Sequence, residues 1–113
     1  MSARVTSAVM ASALVRRVNA EGGSAMVLAK GDATSGGILL LLLDKAVNPR
    51  FVERGIGPDG EPALLPSGPA ALADDTDATA YWQRRRKSDS DLWVIELDIA
   101  QAERFAAETM GLH

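Results

Sequence analysis

Three stretches carry residue types that do chemistry. The first is Lys30-Gly31-Asp32-Ala33-Thr34-Ser35-Gly36-Gly37, a glycine-rich run with hydroxyls, a cation and a carboxylate. Backbone N–H groups in such runs cradle phosphates when the run opens a helix. Here it leads into the apolar run 38–43, which reads as a strand. With no helix N-terminus there is no dipole to attract an anion, and a turn between strands is the better reading. The second stretch is Tyr81-Trp82-Gln83-Arg84-Arg85-Arg86-Lys87. Aromatics next to cations hold single-stranded nucleic acid by stacking and charge. On a helix, however, Tyr81 and Arg85 share one face while Trp82 and Arg86 share another about 100° away. Asp89 and Asp91 follow at once and dilute the field, so a dipole-matched helix end is favoured over a nucleic-acid site. The third set is Asp89, Asp91, Glu96 and Asp98. Glu96 and Asp98 lie two apart on a strand and share a face. This leaves a carboxylate-dependent hydrolase or a hard-cation site open without pointing to either.

The remaining composition removes whole classes of chemistry. There is no Cys, and the one His is the terminal His113. Thiolate catalysis, disulfides, Cys-ligated zinc, a His-based triad and multi-His metal sites are excluded. No cofactor is expected. Net charge is −3, distributed unevenly. Residues 1–57 hold seven Lys/Arg against four Asp/Glu, giving +3, and residues 58–113 hold five against eleven, giving −6. That balance does not steer the whole chain toward nucleic acid. Residue types that fit local ligand contacts are Arg17, Lys30, Asp32, Arg84, Arg85, Arg86 and Lys87. Arg17 falls inside an apolar helical stripe, where its stem is expected to lie on the surface and its head to pair with Glu21.

These residues must be positioned by a single compact domain, residues 1–113. At 47% hydrophobic and 24% charged residues the chain has ordinary globular composition. A domain of this length buries roughly two-thirds of its unfolded surface and folds without staples. Residues 8–21 read as a helix with Met10, Leu14 and Val18 in one stripe, Ser7 as N-cap and Gly22-Gly23 as its stop. Residues 25–30 and 38–43 read as an antiparallel hairpin of strands. Asn48-Pro49 marks a turn, and 50–56 a third strand. Residues 57–73 contain Pro58, Pro62, Pro66 and Pro69 and read as a long surface loop. A second helix opens at Asp74-Asp75-Thr76-Asp77 and runs to Lys87. Residues 92–97 form a strand with Trp93, Ile95 and Leu97 on its core face. Residues 99–110 form a last helix. The predicted fold is an α+β two-layer sandwich in the order α-β-β-β-α-β-α, with a mostly antiparallel four-stranded sheet and its helices on one face.

Leu14-Val15-Arg16-Arg17, Lys30-Gly31-Asp32 and Asp91-Leu92-Trp93-Val94-Ile95-Glu96 together resemble the small bacterial domain-of-unknown-function family 1491. The resemblance runs from about Ser7 to Asp98, and the proline-rich loop and the helix after Asp98 depart from it. It implies a compact bacterial cytosolic domain and supplies no catalytic residue.

The leading functional expectation is a non-catalytic interaction module that self-associates as a homodimer. Residues 38–43 are apolar on both faces, and helices on one face would leave the other to the last helix, the proline-rich loop or a second subunit, with the subunit favoured and the dimer joined along a sheet edge or across this face. Nucleic-acid or phosphate binding through 84–87 is the alternative, and a small carboxylate-dependent hydrolase the third. Ala11-Ser12-Ala13 resembles a signal-peptidase site, but the helical pattern runs on through it. No apolar run reaches membrane-spanning length, so a cytoplasmic location without membrane contact is expected.

Overall fold

The computed structural model describes residues 5–112. His113 therefore lies outside the described residues. Helix α1 spans Ser7–Ala20. Thr6, not Ser7, is its N-cap, and the Thr6 hydroxyl accepts the Val9 N–H at 3.3 Å. Ala11, Leu14 and Val18, spaced three and four apart, are its buried face. The helix closes where Gly23 N–H reaches Val18 O at 2.9 Å and Gly22 takes a φ of +87°, a conformation that only glycine adopts without penalty.

The strands are β1 (Ser24–Ala29), β2 (Ile38–Asp44), β3 (Val47–Ile56), β4 (Pro62–Ser67) and β5 (Trp93–Asp98). Helix α2 (Asp75–Ser88) joins β4 to β5, and α3 (Ala102–Thr109) follows β5. The sheet has five strands in the order β1-β5-β2-β3-β4. Pairing is antiparallel for β1/β5, β2/β3 and β3/β4, and parallel for β2/β5. The α+β class is thus as expected, with three differences from the predicted layout.

First, the expected β1–β2 hairpin does not form, because β5 inserts between the two strands. The 30–37 connection arches over the start of β5 instead of turning tightly. Asp32 N–H donates to Asp91 O at 3.0 Å, and Trp93 N–H donates to Gly37 O at 2.8 Å. Gly31 and Gly36 permit this, since a Cβ on either would lie 2.0 Å from Asp91 O.

Second, part of the predicted proline loop is a strand. Pro62 and Pro66 pair opposite Ile56 and Val52 on the outermost strand. Their spacing of four keeps both N–H-less nitrogens on the same side of the strand. On an edge that side needs no ladder bond. The predicted turn at Asn48-Pro49 lies within β3, and the chain turns instead at Lys45 and Ala46, with φ of 53° and 63°.

Third, helices cover both faces of the sheet. Leu40, Leu42, Val52, Trp93, Ile95 and Leu97 pack against α1 and α3. Leu39, Leu41, Leu43, Phe51 and Val94 pack on the other side with Ala78 and Tyr81 of α2. The five leucines of β2 alternate between two cores, and all five are buried. The cover expected from a second subunit is supplied by α2 of the same chain, so the two-layer arrangement is corrected to three layers. Trp93 is 6% exposed and faces α1 and α3, in the predicted register.

Candidate functional site

Helix α2 starts at Asp74, whose carboxylate accepts the Asp77 N–H at 3.0 Å, with Asp75 and Asp77 in its first turn. Its last turn carries Arg85, Arg86 and Lys87. This charge order suits the helix dipole. The apolar contacts of Ala78 and Tyr81 fix its rotation over the sheet and aim Arg85 and Arg86 inward, in two different directions.

Arg85 points over β3 and β4. Its guanidinium grips Glu53 at two points, Nη1 to Oε1 at 2.8 Å and Nη2 to Oε2 at 2.9 Å. Nη1 also lies 2.9 Å from Tyr81 Oη and 3.1 Å from Ser67 Oγ. Ser67 Oγ donates to Glu53 Oε1 at 2.8 Å. The Arg85 bonds hold the Glu53 carboxyl below its ordinary pKa, against a smaller opposing effect of burial. Glu53 in turn raises the pKa of Arg85. The Tyr81 ring stacks at a tilt on Phe51, with centroids 4.8 Å apart, which anchors the cluster to the core. Four polar side chains from α2, β3 and β4 thus satisfy one another, leaving Arg85 committed inside the protein.

Arg86 points toward β5 and β1. It donates to the carbonyls of Leu92 at 3.0 Å, Lys30 at 3.0 Å and Ser90 at 2.7 Å. It staples the helix end to the β1 exit and the α2–β5 turn. Arg84 and Lys87 are exposed, as is Lys30. The predicted cluster of four cations is therefore two structural arginines and two surface cations. A phosphate-binding reading loses half its charge.

The other candidates are similarly engaged. Arg17 does not pair with Glu21. It bonds Glu108 of α3 at 2.8 Å, and its guanidinium carbon sits 5.2 Å from the Phe105 ring centre. Asp32 caps its own turn, accepting the N–H groups of Ser35 at 2.9 Å and Thr34 at 3.1 Å. Those bonds, Ser35 first, lower its pKa. The glycine-rich run has its carboxylate turned on its own backbone, where it closes the turn.

The four carboxylates do not converge. Asp89 caps α2 and accepts the Asp91 N–H at 3.1 Å at the start of β5. Asp98 lies at the other end, about 20 Å away at some 3.3 Å per strand residue. There it accepts the Lys45 and Ala46 N–H groups at 2.7 and 2.9 Å. Glu96 is half-buried, and burial raises its pKa, with smaller contributions from Asp98 and Asp75. Among the described residues no group of three or more acidic or His side chains is placed to hold a metal ion.

The structure adds one feature that charge and motif reading missed. β1 is an edge strand, and no described strand pairs with its outer side. Met26, on the α2 face of β1, is 58% exposed. The signal in the sequence was the absence of charge and proline from 24–29. The opposite edge, β4, carries two prolines. The surface of the described residues also carries two open concavities. One, of about 390 Å³, lies where β3 overhangs Gly37 and Ile38. The other, of about 600 Å³, lies between the β2–β3 turn and residues 70–75.

The geometry defines a three-layer α+β domain whose inward-facing arginines and turn carboxylates are spent on holding the fold. The family model described as "Protein of unknown function (DUF1491)" matches residues 5–107, and the chain belongs to that family. The match runs into α3, which is therefore part of the family domain and not an extension of it. Similar solved structures include the following three. A crystal structure of a DUF1491 family protein from Caulobacter crescentus CB15 is 28% identical with a TM-score of 0.75, covering 90% of this chain and 94% of that one. An NMR structure of a DUF1491 family protein from the same source is 27% identical with a TM-score of 0.75, covering 92% and 94%. The solution structure of protein Atu0922 from A. tumefaciens is 26% identical with a TM-score of 0.65, covering 85% and 86%. No curated protein matches the chain.

Proposed function

We propose that this chain is a non-catalytic protein-interaction module, acting in the bacterial cytosol, whose contact element is the outer edge of β1. The supporting observation is the contrast between the two sheet edges. Open edges are templates for strand addition, and folded proteins guard them with proline, charge or a bulge. β4 carries Pro62 and Pro66. Ser24–Ala29 carries neither proline nor charge and exposes Met26. Among the described residues its guard is a register irregularity between Val27 and Ala29, which leaves Ser24–Val27 regular. No helix among the described residues is long and apolar enough to cross a membrane.

A photo-crosslinking benzoylphenylalanine at position 26, compared with one at position 66 on the proline-guarded edge, tests this in living cells. A discrete adduct from position 26, lost when Ser24→Lys is added at an exposed position of the same strand, is the expected result. Absence of any adduct from position 26 overturns the proposal.

A further inference from the structure

We infer that the occupant of the β1 edge is a second copy of this chain, joined by two-fold antiparallel pairing of β1 with itself and centred on Met26. This rests on the interaction reading above and names its partner.

The first argument is symmetry. A two-fold axis normal to an antiparallel pair must pass between a residue and its own copy, because facing residues in such a ladder share the same hydrogen-bonding orientation. Met26 lies inside the regular stretch Ser24–Val27 and is its large exposed side chain. Centred there, Met26 meets Met26 on the α2 face, and Ala25 meets Val27 of the second copy on the opposite face. Both contacts are apolar. The α2 and α1 layers of the two copies continue side by side over a ten-stranded sheet.

The second argument is charge. Self-pairing of a charged strand brings like charges together, which destabilises it. β1 carries none. Its flanks carry opposite signs, Glu21 before the strand and Lys30 after it, both exposed. Antiparallel pairing brings Glu21 of one copy and Lys30 of the other to the same end of the paired strands, and the axis repeats that approach at the other end. Lys30 is free to reach out because its bond to Arg86 uses the backbone carbonyl and not the ammonium.

The third argument is exclusion. The β4 edge cannot pair fully with any strand, since Pro62 and Pro66 have no N–H to donate. Of the two edges, β1 alone is free of proline, and its regular stretch is Ser24–Val27.

Sedimentation equilibrium of the full chain across the micromolar range tests the inference. A monomer–dimer equilibrium is expected. Met26→Lys places two ammonium groups at the axis and removes an apolar contact, and should raise the dissociation constant about tenfold or more. Met26 is exposed, so an unchanged thermal midpoint of the variant at low concentration confirms that the monomer is intact. Lys30→Glu should weaken the dimer, and Glu21→Lys combined with Lys30→Glu should restore it. A monomer mass throughout, or a dimer indifferent to Met26→Lys, overturns the inference. A monomer that still gives a crosslinked adduct from position 26 to another protein overturns the second copy as occupant while leaving the interaction module standing. Absence of any adduct overturns both.

Discussion

The indole N–H of Trp93 donates to the backbone carbonyl of Asp32 at 2.8 Å. This bond joins the core of the sheet to the loop that crosses above it. Trp93 packs against α1 and α3, while Asp32 caps the turn that carries the chain from β1 over β5 to β2. The N-terminus of α1 rests on the same loop, with Ala8 N–H donating to Ala33 O at 2.9 Å. One side chain therefore couples β5, the split β1–β2 connection and the first helix.

Replacing Trp93 should show both parts of that role. Trp93→Ala should lower stability by about 3–5 kcal/mol, a large fraction of the total for a domain of this size. Trp93→Phe keeps most of the packing and leaves the Asp32 carbonyl with only the longer bond from the Gly36 N–H at 3.3 Å, which should cost about 1–3 kcal/mol. Urea denaturation followed by far-UV circular dichroism measures both. A loss below 1 kcal/mol for the alanine variant would contradict the assigned core position.

The register of β5 was legible because Trp93, Ile95 and Leu97 alternate with smaller or polar neighbours, and period two is local information. The partner of β5 was not. Whether β1 and β2 pair directly or admit a third strand depends on Gly31 and Gly36 packing against the Asp91 carbonyl, 55 or more residues away in sequence. Apolar alternation in β2 was hidden because both of its faces are buried, so Leu39 to Leu43 read as one run. The prolines of β4 signalled a loop, although at an edge they are compatible with pairing. At the candidate site, the common face of Tyr81 and Arg85 was visible from helical spacing. Glu53 was not, since nothing near it in sequence distinguishes it from any other exposed strand carboxylate.

The basic end of α2 divides into structural and surface cations. Arg86→Ala removes donors from three backbone carbonyls. It should cost about 1–3 kcal/mol. Arg84→Ala, at an exposed position of the same helix, should change stability by no more than about 0.5 kcal/mol. Thermal melts of the two variants side by side measure the difference. Equal effects would refute the division.

The β2–β3 turn holds two non-glycine residues, Lys45 and Ala46, at positive φ. Such a conformation costs an L-residue about 1–2 kcal/mol. The Asp98 carboxylate offsets this by accepting both N–H groups. Ala46→Gly relieves the strain, and after the extra chain entropy of glycine it should stabilise the protein by about 0.5–1 kcal/mol. Asp98→Ala should destabilise it by about 1–3 kcal/mol. Denaturant midpoints moving in opposite directions for the two variants would confirm the arrangement.

Two glutamates should give opposite responses to pH. The folded-state pKa of Glu53 is lowered, chiefly by Arg85, so its contribution is present above the ordinary carboxylate pKa and is lost as pH falls through the folded value. Glu53→Gln should therefore cost about 1 kcal/mol at neutral pH, allowing for the solvent that reaches this half-buried pair. The deficit should shrink as pH drops below the mid-fours. The folded-state pKa of Glu96 is raised, chiefly by burial beside Asp98 and Asp75. Its protonated form is the one the fold favours, so its contribution is full in acid and is lost as pH rises through the raised value. At neutral pH the charged Glu96 is a net burden, and Glu96→Gln should raise the thermal midpoint there, with the gain vanishing below the ordinary carboxylate pKa. Melting midpoints of both variants, taken from neutral to acid pH, should converge on the wild-type profile from opposite sides. A Glu96→Gln variant less stable than wild type at neutral pH would show instead that this carboxylate has a favourable partner across the α2 face.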